Sequence, residues 1–337
     1  MNSVAIIILN WNGIEDTLTC IDSLLLQTYK DFRIVVVDNG SDKTSLTALK
    51  KLQQQYKEDV EVIYNSKNLG FTGGVNTGIK WAIENEFEYI ALFNNDAIAD
   101  KGWLAALVSA IEPKAIAIAT GQLLHIDGQT IDSTGELYSN WGLPFSRNRN
   151  EPTVSAPTEK DFVFGATGGA TLYRTTLFHE IGLFDDTFFA YYEDADLNFR
   201  SQLAGRRAIY TPEAIAYHKQ GATSKKLPGF TIYQNFKNTP LVLLKNVPTG
   251  IFVAVSARFY LIYILSFWKA VVKGNGFPAL KGVIASFILG FGALKKRQQI
   301  QKSKKVSTEY IKSILYADLP PEQTGMRRLR RIVTGRV

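Results

Sequence analysis

Cysteine occurs once in 337 residues, at Cys20. No intrachain disulfide can form and a cysteine-based zinc site is excluded, which fits a reducing cytoplasm. Histidine occurs three times, at His125, His179 and His218. There is no Gly-Lys-Ser or Gly-Lys-Thr, which removes a P-loop. No G-x-G-x-x-G follows the first apolar run, which removes the usual dinucleotide phosphate turn. That run, residues 4–9, has no basic stretch before it and is too short for a signal peptide, so it reads as a first strand. Acids are nearly missing from the last third. Residues 225–337 hold 20 Lys and Arg against Glu309, Asp318 and Glu322, a net of +17, whereas residues 1–224 hold 18 against 28, a net of −10; together these give +7. The asymmetry marks an acidic globular part and a basic part that meets a polyanion or an anionic membrane.

What is present is alternation. Residues 4–9, 33–37, 60–64, 89–93 and 115–119 are short, rich in Val and Ile, and bounded by polar turns. Helical patterns lie between them near 15–26, 43–56, 74–84 and 103–111. Such spacing predicts an α/β fold, a mostly parallel sheet with helices on both faces. The strands end in polar residues: Asn10-Trp11-Asn12, Asp38-Asn39-Gly40-Ser41, Asn65-Ser66-Lys67-Asn68 and Asn94-Asn95-Asp96. These ends should gather at one edge, where open α/β sheets bind ligands. Residues 127–160 are polar and poorly periodic and read as a long loop or excursion. Residues 162–173 are β-like around Gly165, Gly168 and Gly169, 191–203 read as a helix closed by Gly205, and 208–218 as a strand ending at His218.

Several of these ends carry candidate chemistry, each beside a structural alternative. The glycine-rich run from Asn68 through Gly74 and Asn76 to Gly78 leads into a helix, whose N-terminus favours phosphate; a plain loop has the same composition. Asp38 could accept the ring N–H of uracil or thymine, or form an Asx turn with Asp42 capping the next helix. Asn94-Asn95-Asp96 offers one carboxylate and two amides, enough for Mg²⁺ or Mn²⁺ when phosphate and water supply the rest; otherwise it is a turn. His218 could complete that shell, with nitrogen plus carboxylate leaning toward Mn²⁺. Tyr191-Tyr192-Glu193-Asp194-Ala195-Asp196 puts three acids at a helix start, which suits the helix dipole and an Asp196–Arg200 pair. It also suits a sugar site with a general base, for which Asp194 is the candidate.

Taken in order, Ile8-Leu9-Asn10-Trp11-Asn12, Val37-Asp38-Asn39-Gly40-Ser41, Asn68-Leu69-Gly70 through Asn76-Thr77-Gly78, Asn94-Asn95-Asp96, Gly168-Gly169-Ala170, Tyr192-Glu193-Asp194-Ala195-Asp196-Leu197 and His218 with Gly221 resemble glycosyltransferase family 2, in its bacterial rhamnosyltransferase-like branch, over about residues 3–224. The resemblance implies a GT-A fold and inverting, metal-dependent transfer of a sugar from a UDP or dTDP donor to a glycan or polyprenyl-linked acceptor in bacterial surface polysaccharide assembly. It implies donor contacts from Asn10, Asn12, Asp38, Asn68, Gly74, Asn76, Asn94 and Asn95. Asp96 and His218 would hold Mn²⁺ or Mg²⁺, and Asp194 would be the catalytic base. Asn94 replaces the first acid of the family's Asp-x-Asp element. Two other readings stand beside this one: a nucleotidyltransferase, which lacks here its Arg-containing phosphate loop, and a non-catalytic sugar-nucleotide-binding scaffold.

The basic part has its own pattern. Residues 251–268 are apolar and aromatic around Ser256 and Arg258, and 282–294 form a second apolar run of 13 residues, too short to span, followed by Lys295-Lys296-Arg297. Residues 249–272 approach the length of a span, yet Arg258 sits mid-run, at a cost of about 2.5–3.5 kcal/mol. Helices lying in the headgroup plane at the cytoplasmic face of the inner membrane are therefore the expected arrangement, with one or two true spans and a soluble oligomer interface as the alternatives. The expected division is a catalytic domain over 1–245 and a helical membrane-associating region with a basic tail over 246–337. Nucleic acid is not an expected partner.

Overall fold

A computed structural model describes residues 4–220 and 227–323. The N-terminal half alternates β1 (Val4–Asn10), α1 (Ile14–Leu25), β2 (Phe32–Asn39), α2 (Lys43–Gln55), β3 (Val60–Asn65), α3 (Gly70–Glu84), β4 (Tyr89–Phe93), β5 (Ala97–Ala99) and α4 (Trp103–Ile111). There follow β6 (Ile116–His125), β7 (Ile131–Ser133), β8 (Glu136–Tyr138), β9 (Pro144–Ser146), β10 (Asp161–Val163), β11 (Ala170–Arg174), α5 (Thr175–Ile181), α6 (Glu193–Leu203) and β12 (Arg207–His218). Four helices close the described chain: α7 (Phe230–Asn246), α8 (Thr249–Val272), α9 (Gly276–Lys302) and α10 (Thr308–Ile314).

The main sheet runs β10-β12-β6-β11-β4-β1-β2-β3, with β11 antiparallel to β4 and β6, and β5 and β7 attached at the side. Period-2 alternation in β1 explains why both faces are covered. Val4, Ile6 and Ile8 pack with Cys20, Ile21 and Leu24 of α1 and Trp103 of α4. Ala5 and Ile7 point the other way, toward Val75 and Ile79 of α3 and Phe178 of α5. Parallel register places Asn10 beside Asp38, and Asn39 beside Asn65, at one C-terminal edge.

Three readings of the sequence change, and one helix is new. The stretch 127–160 is not an irregular excursion: β7 joins the sheet antiparallel to β6, and β8 pairs with β9. Three-residue strands are too short to show a period. The strand expected at 115–119 continues to His125. The 13-residue apolar run at 282–294 lies inside the 27-residue helix α9, which starts with Gly276-Phe277-Pro278-Ala279-Leu280 and ends in Lys, Arg and Gln residues. Helix α7 contains Pro240, which hides its helical pattern. Proline cannot bond back to the carbonyl of Phe236, and that carbonyl instead accepts from the Tyr263 hydroxyl of α8 at 2.8 Å.

Residue 245 lies at the end of α7, but it does not divide the packing. One apolar cluster joins Tyr138, Phe188 and Phe199 to Leu241, Phe259, Ala293 and Ile311. Buried Lys245 bridges Asp185 and Asp196 at 2.6 and 2.7 Å, and Lys296 of α9 reaches Asp185 at 2.6 Å. By length and composition α8 and α9 could each cross a membrane, with mean hydropathy 1.8 and 1.7. Gly221 and the tail arginines Arg327, Arg328, Arg330, Arg331 and Arg336 fall outside the described residues.

Candidate active site

The strand ends form a cross-linked floor. Asn10 Nδ2 donates to Asp38 Oδ1 at 2.9 Å and to Ser41 Oγ at 3.2 Å, while the Ser41 amide donates to Asp38 Oδ2 at 3.0 Å. Asn10 and Asp38 are fully buried. Asn12 is exposed, adopts φ 53°, and accepts the Asp42 amide at 2.9 Å. Asp42 in turn caps α2 by accepting from the Ser45 amide, as its position implied. Asn68 Oδ1 accepts from Asn39 Nδ2 at 3.1 Å and from the Gly70 amide at 2.8 Å, opening α3 at this edge.

Two expected donor contacts belong to the fold instead. Asn76 is buried and both ends of its amide are engaged: Nδ2 donates to the Phe184 carbonyl and to Asp186 at 2.8 Å each, and Oδ1 accepts the Phe184 amide at 3.1 Å. It fastens the 184–186 turn. A Cβ on Gly74 would lie 2.3 Å from Leu9 Cδ1, so this glycine lets α3 close on the sheet rather than on a ligand. Sequence position on a helix start does not distinguish the side facing the sheet from the side facing the edge.

Asp96 and His218 meet as expected. His218 Nε2 stands 3.1 Å from Asp96 Oδ1 and 3.1 Å from Asn94 Nδ2. Its other nitrogen lies 2.7 Å from Asp132 Oδ2. Asp132 is buried and also bonds Arg149 and Gln220. The protonated ring donates Nδ1–H to Asp132 and Nε2–H to Asp96; loss of the Nε2 proton would leave its lone pair and the Asp96 carboxylate as two ligands for a cation. Burial would lower the His218 pKa, but Asp132 and Asp96 hold it up at about 9. Burial likewise opposes the charge of Asp132, yet His218 and Arg149 pull its carboxyl down to about 2. Among the described residues no three His, Cys, Asp or Glu side chains form a ready metal cage. Asn95 turns away, donating to Thr17 Oγ1 of α1 at 3.1 Å.

The acids open α6. The turn before it is strained, with Phe189, Tyr191 and Tyr192 at φ 64°, 67° and 69°. Asp194 is half-buried and accepts the Ala195 amide at 2.7 Å. Burial raises its pKa, against the amides of Ala195 and Gly168 and the Arg149 guanidinium. Burial, reinforced by the charge of Asp194, lifts Glu193 and Glu136 to about 8 each. Asp196 has the structural role expected, paired with Arg200 at 2.9 Å and with Lys245. The two halves of the site are linked through β11's approach: Gly169 accepts the Asn94 amide at 2.9 Å, and Ala166 accepts from Asn198 Nδ2 of α6 at 2.8 Å while donating its amide to Asn198 Oδ1 at 3.2 Å.

Asp132, Glu136 and Arg149 are site residues that sequence reasoning missed. All three lie in the stretch read as an excursion. Their one sequence sign is the charge of Asp132 and Glu136 within short apolar pieces, Ile131-Asp132 and Glu136-Leu137.

The sequence model described as glycosyl transferase family 2 matches residues 5–182, more than half of the chain. The low-salt glycan biosynthesis hexosyltransferase Agl10 of Haloferax volcanii is 23% identical over 245 residues, 71% of this chain and 74% of that protein. An N-acetylglucosaminyl-diphospho-decaprenol L-rhamnosyltransferase of Mycobacterium tuberculosis is 26% identical over 248 residues, 66% of this chain and 77% of its own length. Among solved structures, the mannosyltransferase PcManGT of Pyrobaculum calidifontis, in complex with GDP-Man and Mn²⁺, has a TM-score of 0.56 at 14% identity over 93% of this chain and 85% of that one. GalNAc-T7 with UDP, GalNAc and Mn²⁺ has a TM-score of 0.59 at 17% identity over 72% of this chain, which spans about half, 48%, of that one. At these identities the solved structures speak for the fold.

Proposed function

The chain belongs to glycosyl transferase family 2 and is a glycosyltransferase of GT-A fold, and from that premise we propose an inverting, metal-supported transfer of a sugar from a nucleoside diphosphate to an acceptor hydroxyl. The observation that carries the proposal is the meeting of Asp96 and His218 at 3.1 Å, tied to the helix that carries Asp194. Gly169 accepts the Asn94 amide at 2.9 Å, and Ala166, in the same segment, exchanges hydrogen bonds with Asn198 of α6. Asp194 takes the proton of the acceptor hydroxyl as its oxygen attacks the anomeric carbon. The bond from that carbon to the diphosphate breaks, and the single displacement inverts the centre. Asp96 and His218, with the donor's own phosphate oxygens, would hold a divalent cation that neutralises charge on the departing diphosphate. Two side chains alone make a weak site, so metal and nucleotide should bind together. To Asp38, which accepts from Asn10 and Ser41 at this edge, the proposal assigns the ring N–H of uracil or thymine, with Asn10, Asn12 and Asn68 around it.

Membrane attachment forms part of the same proposal. Helix α8 buries Val255, Phe259 and Ile262 and exposes Leu261, Ile264, Leu265 and Trp268 on its opposite face. Helix α9 buries Gly282, Ser286, Gly290 and Ala293 and exposes Ile284, Phe287, Ile288 and Phe291. Arg258, midway along α8, donates to the Asn140 carbonyl at 3.3 Å. Helices fastened to the catalytic domain along their inner faces suit the headgroup plane, with Lys269, Lys273, Lys281 and Lys295 exposed to anionic lipid. This would bring the cytoplasmic face of a membrane, and a lipid-linked acceptor, to the site.

The test is calorimetric binding of UDP, dTDP, CDP and GDP with and without Mn²⁺ or Mg²⁺. Metal-dependent binding of UDP or dTDP is expected. Binding that ignores metal would remove Asp96 and His218 from the proposal, and a preference for GDP or CDP would remove Asp38.

A further inference from the structure

We propose that Lys237 and Asn238 of α7 are positioning residues that hold the strained 187–192 turn, and through it the carboxylate of Asp194, in register with the donor-side helix α3. The inference rests on the role proposed for Asp194.

Three non-glycine residues with positive φ within four positions cost of order 1–3 kcal/mol each, so the turn persists only where its surroundings over-determine it. Its carbonyls show how. Lys237 Nζ donates to Thr187 and Phe188 at 3.3 and 3.0 Å. Asn238 Nδ2 reaches Phe188, Ala190 and Tyr191 at 3.0, 2.9 and 2.7 Å. The remaining carbonyl, Phe189, accepts the Thr72 amide of α3 at 3.2 Å. Every carbonyl from Thr187 to Tyr191 therefore accepts a bond from α7 or α3. Asn238 is fully buried and its Oδ1 has no partner among the described residues, so the turn is the polar contact of this side chain. Packing alone would be served as well by leucine.

The turn also touches the donor side directly. A Cβ on Gly70 would lie 2.5 Å from the Phe189 carbonyl oxygen and ring. Phe189 and Tyr191 both pack on Phe230 at the start of α7, with ring centroids 6.3 and 6.2 Å apart. Helix α6 begins at Glu193, immediately after the turn, and its N-cap Tyr192 makes no side-chain capping bond. The direction in which Asp194 enters the site is thus set by the turn and not by a cap. A misplacement of about 1 Å at a reacting group can cost 10²-fold in rate.

The test uses the full chain carrying Asn238→Leu or Lys237→Met, with Lys237→Arg as the conservative partner. Three readouts are needed: amide hydrogen exchange over 187–192, Mn²⁺-supported UDP binding, and nucleotide release from the nucleotide sugar that the parent turns over. Exchange in the turn should rise at least tenfold in Asn238→Leu while α3 stays protected. UDP affinity should stay within threefold and kcat should fall tenfold to a hundredfold, with Lys237→Arg recovering most of the loss seen in Lys237→Met. Lys237→Met removes fewer bonds and serves if Asn238→Leu does not fold. Unchanged exchange in the turn, or kcat per folded molecule within twofold of the parent, overturns the inference. The exchange readout needs no substrate, so failure of the clamp and failure of the proposed activity are told apart.

Discussion

Replacing Lys245 by Met should destabilise the fold by about 3 kcal/mol, the lower part of the range of 3–5 for breaking a buried ion pair. Lys245 is 3% exposed and lies between two carboxylates, Asp185 Oδ2 at 2.6 Å and Asp196 Oδ1 at 2.7 Å. Methionine keeps the length and apolar contact of the stem, so little cavity forms. Neither acid is left wholly alone, because Lys296 stays on Asp185 at 2.6 Å, and Arg200 and Asn246 stay on Asp196 at 2.9 and 2.8 Å. That residual pairing sets the estimate at the low end. With a urea slope of about 3 kcal/mol per M, the unfolding midpoint should drop by roughly 1 M. The pH dependence has a defined sign. Burial works against both charges, but Lys245 and its neighbours hold the Asp185 and Asp196 carboxyls below their ordinary values. Their stabilisation is present above the unfolded carboxylate pKa, roughly 3.9, and is lost as pH falls through the lower folded values. The gap between parent and variant should therefore narrow as pH falls below roughly 4. A midpoint within 0.3 M (roughly 1 kcal/mol at that slope) at pH 7, or a gap that widens on acidification, would refute the reasoning.

Further outcomes follow from other parts of the molecule. Tyr263→Phe removes the hydroxyl that satisfies the Phe236 carbonyl freed by Pro240, and should cost about 1–2 kcal/mol in urea unfolding; no loss would mean that the carbonyl finds another donor. Asp132→Ala frees the His218 ring and should weaken Mn²⁺-supported UDP binding by about 10–100-fold in calorimetry, while metal-free UDP binding stays put. The triple change Phe287→Glu, Ile288→Glu and Phe291→Glu alters side chains 74%, 62% and 65% exposed. It should leave the melting temperature unchanged and abolish cosedimentation with anionic vesicles; retained pelleting would contradict the membrane face.

Much of the catalytic half was legible because its physics is local. Buried parallel strands read as runs of Val and Ile, and their polar ends mark Asn10, Asp38, Asn94 and Asp96. The Asp96–His218 meeting was legible only through the order of motifs, since 122 positions separate the two residues. Asp132 and Arg149 were not legible: Asp132 sits on a three-residue strand that carries no period and is brought to His218 by sheet pairing, and Arg149 lies in the turn after β9. Asn76 and Gly74 went astray for the opposite reason, since a motif gives position along a helix but not which face is covered. The boundary at 245 reflected composition. The fold ties α7, α8 and α9 to the turn that precedes Asp194, so the basic region packs against the site and leaves an exposed apolar outer face.

The most direct test is turnover by Asp194→Asn with the nucleotide sugar that the parent enzyme uses, measured as nucleotide release in the presence of Mn²⁺. Asparagine keeps the shape and can still accept the Ala195 amide, but it cannot take a proton. UDP affinity should remain within about threefold while kcat falls by about 10²–10⁴, the contribution of a positioned general base. Turnover within tenfold of the parent would contradict the assignment of Asp194 and, with it, the single-displacement mechanism built on that residue.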